Sequence, residues 1–484
     1  MPGLENIIFD IQYYHIIARL RFKHIIRYNL VCKSMNNVAT RYLLNNHVFV
    51  FNRNALSSKL AVDVKTLKLS RDYFIFFKNM CLYNISKLIV DDSYNLAIKL
   101  PDNITNITFG ITYNQPTILP SALTTLKFGG SYNQSTPLPP NLTNLQFGDC
   151  YDRYTKLPSG IINLRFGSNY NRDISLPNSV VVLEFGHTYN RDTPLPEKIK
   201  SLTLGYCYNQ PTMLPRSIEI LRLGRKYDQS TALPDSVIYL KLDNDYSKLT
   251  HLPNKLSELE LCRTCDHKIS LPSLLTKLTF GFNYNSPTPL PSKLIQLKFG
   301  RKYDQPTELP SHLTRLIFGS DYNQTTTLPN NIVDLTFGNK YNQSTALPNN
   351  LTTLIFGRAY NQPNELPNQL ITLTFGICYN QPTKLPRNVS VLKFGYDYNQ
   401  STQLPPCIIT LVFGERYNQA TQLPDSITHL VFGSCYNRLT QLPPKIKTLK
   451  ISTNFIHLSA IPDNNFITIS LIDQPANAVQ TYQN

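Results

Sequence analysis

The stretch from Leu119 to Pro158, LPSALTTLKFGGSYNQSTPLPPNLTNLQFGDCYDRYTKLP, says nearly the same thing twice. Leu-Pro is followed by Leu123, Leu126, Phe128, Gly129 and Tyr132-Asn133. Leu-Pro then returns with Leu142, Leu145, Phe147, Gly148 and Tyr151-Asp152. Extended outward, the period is 19 residues without slippage: proline stands at 101, 120, 139 and every nineteenth position to 462, giving 19 complete units. Counting proline as position 0, position 3 is Leu, Ile or Val, position 6 is almost always Leu and position 8 is Phe or Leu. Position 9 is usually Gly, and positions 12 and 13 are usually Tyr and then Asn or Asp. Two looser copies precede the array. One keeps Ile85, Leu88, Val90, Tyr94 and Asn95; the other keeps Leu67, Leu69 and Tyr73.

A unit this short cannot hold a helix, a strand and their connections. Positions 6 and 8 lie two apart, the spacing that puts both side chains on one face of a strand, and position 7 between them is mostly polar, as in Lys127, Gln146 and Arg165. The glycine at position 9 marks a sharp turn or a close approach of neighbouring backbone. The remainder, rich in proline, reads as extended or turn structure. One such strand cannot bury its apolar residues alone. Stacked coil upon coil, the strands join into a parallel sheet and each inner Leu and Phe meets its copies above and below. The predicted fold is therefore a repeat β-solenoid of 19-residue coils, extending roughly 90 Å at about 4.8 Å per strand. Tyr and Asn at positions 12 and 13 also line up in rows. Their uniformity favours a packing role, rings on rings and Asn hydrogen-bonded along the stack, over an exposed ladder for sugars or bases.

Residues 1–50 read differently. Leu4, Ile7, Ile8 and Ile11, then Ile25, Ile26, Leu30 and Val31, fall at helical spacing. The expected organisation is a helical segment over 1–50, degenerate capping coils over 51–100, the solenoid over 101–461, and a C-terminal cap and tail over 462–484.

The net charge is +16, from 47 basic and 31 acidic residues. Such a surplus suits acidic protein partners or nucleic acid. Interspersed Asp and Glu argue against nucleic acid, which is not an expected partner. Glu5 and Asp10 stand where a signal peptide would carry its basic and apolar regions, and no run approaches the ~18 apolar residues of a membrane span. A cytoplasmic protein with reduced thiols is expected, with no membrane association.

No catalytic constellation is visible, so an enzyme is not expected, and neither is a cofactor. FGGSYN lacks the spacing and the lysine of a phosphate loop. Cys262 and Cys265 form the one metal-like pair, but no second pair has suitable spacing and the two merely occupy the Gly and Tyr positions of their coil; no metal is expected. Recognition should lie where the repeat varies, at positions 5, 7, 10 and 11. These carry two basic groups, Arg222, Arg225, Lys226 and Lys241, then Lys298, Arg301, Lys302 and Arg315, with Glu258 and Glu260 between them. They are the candidate surface for a target protein.

The pattern L-P-x-x-L-x-x-L-x-F-G-x-x-Y-N-Q resembles leucine-rich repeats, and more closely the FNIP repeat family of social amoebae and amoeba-infecting giant viruses. Its motif stands here as YNQP at 113–116, 208–211, 360–363 and 379–382, with Tyr replacing the family's Phe. Residues 1–50 resemble an F-box: LVCKSM (30–35) matches that family's L-V-C-K/R-x-W, with Met35 in place of Trp and without the opening Leu-Pro. Together the two resemblances imply a substrate-recruiting adaptor. The F-box-like segment would dock on a Skp-type subunit of a cullin ubiquitin ligase through Leu4, Ile7, Ile8, Leu30, Val31 and Met35, and the solenoid would bind a target. The alternative is a protein-binding scaffold or decoy with no ligase link.

Overall fold

The computed structural model describes residues 49–50, 66–69, 85–243, 251–264, 269–452, 455 and 468–472. The expected helical segment, with Leu4, Ile7, Ile8, Leu30, Val31 and Met35, lies outside them. The chain divides into two compact units, Met1–Pro234 and Asp235–Asn484.

In the first unit the parallel sheet begins early, with Phe49–Val50 paired to Leu67 and Lys68, and Thr66–Leu69 paired to Lys87–Val90. The periodic register then takes over: Asn106 faces Thr125, Thr125 faces Asn144, and the rule of nineteen holds to Ile220, which faces Ser201. The second unit runs in the same register from Tyr239, opposite Glu258, to His429, opposite Thr448. It adds a last strand, Thr468–Ile472, beside Thr448–Ser452. Each unit is thus a parallel β-solenoid of 19-residue coils, as the sequence predicts.

Most strands are three residues long, positions 5 to 7, as in Thr125–Lys127. The Phe at position 8 follows the strand but keeps its ladder bond: Phe109 N–H donates to Lys127 O of the next coil at 2.8 Å. Two tight turns fold each coil. Leu123 N–H donates to Pro120 O, and Tyr132 N–H to Gly129 O, each at 3.2 Å. The repeated glycine answers to close approach. A Cβ on Gly129 would sit 1.7 Å from Gly110 O of the preceding coil, so no side chain fits.

Inside, positions 3, 6, 8 and 12 are buried. Leu123, Leu126, Phe128 and Tyr132 are 0%, 1%, 2% and 0% exposed. The tyrosines form a continuous column in each unit, from Tyr94 to Tyr227 and from Tyr284 to Tyr436, with ring centroids such as Tyr113 and Tyr132 separated by 6.2 Å. Where the coil carries Phe at position 8, the Tyr also stacks on it, with 4.1 Å between the Phe128 and Tyr132 centroids. Rings enclosed this way cannot serve as an exposed ladder. Most of the phenol oxygens are satisfied four residues on, as where Tyr208 meets the Thr212 hydroxyl at 2.7 Å; Tyr170 is an exception.

Candidate protein-interaction surface

With positions 3, 6, 8 and 12 committed to the core, the coil presents positions 4, 5 and 7 on the strand face and 10 and 11 on the turn that follows Gly. Because the register is strict, each outward position forms a row along its unit. The row chemistry therefore follows from reading every nineteenth residue.

The first predicted basic group divides between the units. Arg222 lies half-buried on the strand Ile220–Leu223, and Arg225 and Lys226 are exposed on the turn after it. Lys241 belongs to the second unit, where it lies between two carboxylates, Asp243 and Glu260, each 3.7 Å away. Glu258 is likewise taken by Lys277 at 2.8 Å. The acidic spot and its flanking lysines thus neutralise one another across adjacent coils.

The second group holds together. Lys298 ends the strand Gln296–Lys298, Arg315 starts the adjacent Arg315–Ile317, and both side chains are exposed. Arg301 and Lys302 stand on the turn of the same coil as Lys298, also exposed. None of these four has an ion-pair partner among the described residues.

A column at position 10 escapes a reading by charge alone. Phe282 carries Arg263 over its ring at 4.7 Å and Arg301 at 5.3 Å, a ring held between two guanidinium groups from the coils on either side. The first unit repeats the device: His187 stacks on Tyr206 at 4.5 Å and Arg225 lies over that ring at 5.7 Å. The signal was present in the sequence, since Arg263, Phe282 and Arg301 are spaced by the repeat. Beside the column runs a polar groove of about 680 Å³, lined among others by Asn283, Asn285, Lys302, Asp304, Asp321 and Lys340. Lys340 and Asp321 are paired across it at 2.9 Å.

Below this edge lies a ladder of carboxamides at positions 13 and 14. Asn114 Oδ1 accepts from Asn133 N–H at 2.9 Å, and the Gln134 amide donates to the same Asn114. Asp304 takes the acceptor role in its coil, receiving Asn323 N–H at 2.9 Å.

Five of the described cysteines are free, Cys150, Cys207, Cys378, Cys407 and Cys435. Cys262 is in a disulfide, which departs from the expectation of reduced thiols throughout. No group of three or more potential metal ligands occurs among the described residues, and no helix among them is long and apolar enough to cross a membrane.

Short strands in strict parallel register, leucines inside and a turn-rich return path define a leucine-rich-repeat-like solenoid. CroV588, described as a novel circular LRR protein, is similar at 31% identity over 81% of this chain and 73% of its own, with a TM-score of 0.63. The FNIP Repeat model matches residues 94–131, 155–188, 284–321, 303–340, 341–378, 379–416, 398–435 and 417–454, together half of the chain. The chain belongs to the FNIP repeat family. YopM from Yersinia enterocolitica WA-314 is similar at 19% identity over 76% of this chain and 87% of its own, with a TM-score of 0.48. No curated protein sequence matches.

Proposed function

We propose that the protein is a non-catalytic adaptor whose solenoid binds a target protein and whose N-terminal segment docks on a Skp-type subunit of a cullin ubiquitin ligase. The observation that carries the binding role is the division of labour within the coil. Positions 3, 6, 8, 9 and 12 repeat nearly unchanged, whereas the outward positions 5, 7, 10 and 11 change from coil to coil. Stacking turns those variable positions into a continuous surface, as solenoid binding proteins require. The ligase link is supported by the resemblance of LVCKSM (30–35) to the F-box signature. A basic N-terminal end would also favour an acidic adaptor. In this reading the protein works in the cytoplasm.

The test is co-purification of the full-length chain with a Skp-type subunit, and its loss when Leu30 and Val31 are both replaced by Asp. No co-purification from the unaltered chain sinks the ligase link. A second reading, a scaffold or decoy without that link, is favoured by Met35 where the F-box signature has Trp. It expects target binding that is indifferent to the Leu30 and Val31 changes and no Skp-type subunit at all.

A further inference from the structure

We propose that Arg263, Phe282, Arg301 and Lys302 form the docking point for an acidic segment of a partner protein. This rests on reading the solenoid as a protein-binding scaffold, and it specifies the chemistry of what is bound.

The cations here depart from the habit of the fold. Where a carboxylate stands one coil away in a suitable row, basic residues pair with it: Lys200 with Glu219 at 2.9 Å, Lys277 with Glu258 at 2.8 Å, Lys340 with Asp321 at 2.9 Å and Arg416 with Asp397 at 3.0 Å. Arg263, Arg301 and Lys302 have no ion-pair partner among the described residues; Asp321, one coil beyond Lys302 in the same row, is paired with Lys340 instead. Asp304, in the same coil as Lys302, is turned to the carboxamide ladder, where it accepts from Asn323 N–H and from Gln324 Nε2. The result is three cations without an ion pair within three adjacent coils.

The ring makes the two arginines a prepared site. Each guanidinium lies over the Phe282 ring, so its position is restrained before any ligand arrives and less side-chain freedom is lost on binding. A guanidinium held over a ring still has N–H donors to offer a carboxylate. Centroid distances of 4.7 and 5.3 Å keep the two guanidinium carbons within about 10 Å of one another. That span matches two turns of a helix or three residues of extended chain, so a short segment with two or three carboxylates can reach both arginines and Lys302. The adjoining groove supplies Asn283, whose carboxamide can serve a donor or acceptor of a peptide backbone.

The same features disfavour a nucleic acid. A phosphate chain needs cations that continue along its track. Beyond Arg301 and Lys302 the rows pass to Ser320 and Asp321, then to Asn339 and the already paired Lys340. The site is a point of positive charge bounded by acids, not a stripe.

The test uses full-length protein and three fluorescein-labelled probes of similar size: a peptide of alternating Glu and Gly, an uncharged Gly-Ser peptide, and an oligo-dT strand. Fluorescence anisotropy should show binding of the acidic peptide and none of the uncharged one. The double change R301E/K302E should weaken acidic-peptide binding by more than about tenfold. Phe282→Ala alters no charge and should still weaken it severalfold, because the guanidiniums lose their support. K384E/K393E imposes the same charge change elsewhere in the unit and should leave affinity within about twofold. Thermal melting confirms that each variant is folded; if R301E/K302E is not, R301Q/K302Q takes its place. Equal losses in the two double variants, tighter binding of oligo-dT than of the acidic peptide, or no binding of the acidic peptide to the unaltered protein would each overturn the proposal. None of these outcomes bears on Skp-type docking through Leu30 and Val31, so the two readings fail separately.

Discussion

Asn133 donates its backbone N–H to Asn114 Oδ1 at 2.9 Å in the preceding coil, and the Gln134 side chain donates to both the backbone O and the Oδ1 of that same Asn114 at 3.1 Å. Nineteen residues of chain are joined to the next nineteen through one carboxamide oxygen. The oxygen acts only as acceptor in these bonds, which explains why Asp substitutes for Asn at this position, as Asp304 does.

The first prediction tests that asymmetry at Asn361. Its Oδ1 accepts from Asn380 N–H at 2.9 Å and from Gln381 Nε2 at 3.2 Å. Asn361→Ala strands the Asn380 N–H, while Gln381 Nε2 keeps its bond to the Asn361 backbone O at 3.1 Å, and should destabilise by about 1–3 kcal/mol, the usual cost of an unpaired, partly buried polar group. Asn361→Asp keeps the acceptor and should stay within about 0.5 kcal/mol of the original. Urea unfolding midpoints compare the two; equal losses would show that the ladder depends on the amide nitrogen after all.

The glycine row makes a harsher prediction. A Cβ on Gly338 would stand 1.7 Å from Gly319 O, an atom held in the backbone of the coil beneath. Neither partner can move without opening the ladder on both sides. Gly338→Ala should therefore lie in the exceptional range, above about 4 kcal/mol, or prevent folding. Gly130 is a fair control, since a Cβ there meets nothing nearer than 3.6 Å, and Gly130→Ala should be nearly neutral.

The contrast between these two glycines shows what could be read from the chain. Periodicity alone fixes the register, because a strict spacing of nineteen can be satisfied only by stacking like on like. From that come the inner Leu and Phe columns, the buried Tyr row and the close approach at Gly. The same rule would have disclosed the ion pairs: Lys241 and Glu260 are nineteen apart, as are Glu258 and Lys277. Reading charge as clusters along the chain instead put Lys241 with Arg222, Arg225 and Lys226, and passed over Phe282 because it is uncharged. Which cations remain unpaired was not legible. That depends on how far each flexible side chain reaches toward a neighbouring row, and side-chain reach leaves no trace in a repeat pattern. Residues 1–50 have no period, so no register could be inferred for them.

The tyrosine column contains its own control experiment. Tyr170 is buried, and its hydroxyl has no hydrogen-bond partner, because Ile174 stands where other coils have a threonine. Tyr189, one coil on, has its hydroxyl matched with Thr193. Tyr170→Phe removes only an orphaned polar group and should be neutral or stabilising by up to about 1 kcal/mol, whereas Tyr189→Phe should cost about 0.5–1.5 kcal/mol. Ile174→Thr should supply the missing partner, after which Tyr170→Phe becomes destabilising; a double-mutant cycle on thermal melting reads the coupling.

The last prediction concerns alkaline pH. Burial pushes the phenols of Tyr113, Tyr189, Tyr322 and Tyr417 up to about 12, against an ordinary value of 10.0, with the hydrogen bond to the threonine four residues on pulling the other way in each. Between those values the unfolded chain has released protons that the folded chain still holds, so stability falls as pH rises. The contribution of the column is intact below about pH 10 and is lost between about 10 and 12. Because many tyrosines of each unit share this environment, their proton releases add and unfolding should be abrupt. Absorbance of tyrosinate should stay low in the folded protein and then rise together with loss of the far-ultraviolet circular dichroism signal. Gradual ionisation of the buried tyrosines well before the fold is lost would show that the column is open to water and that the rings are not held as the packing requires.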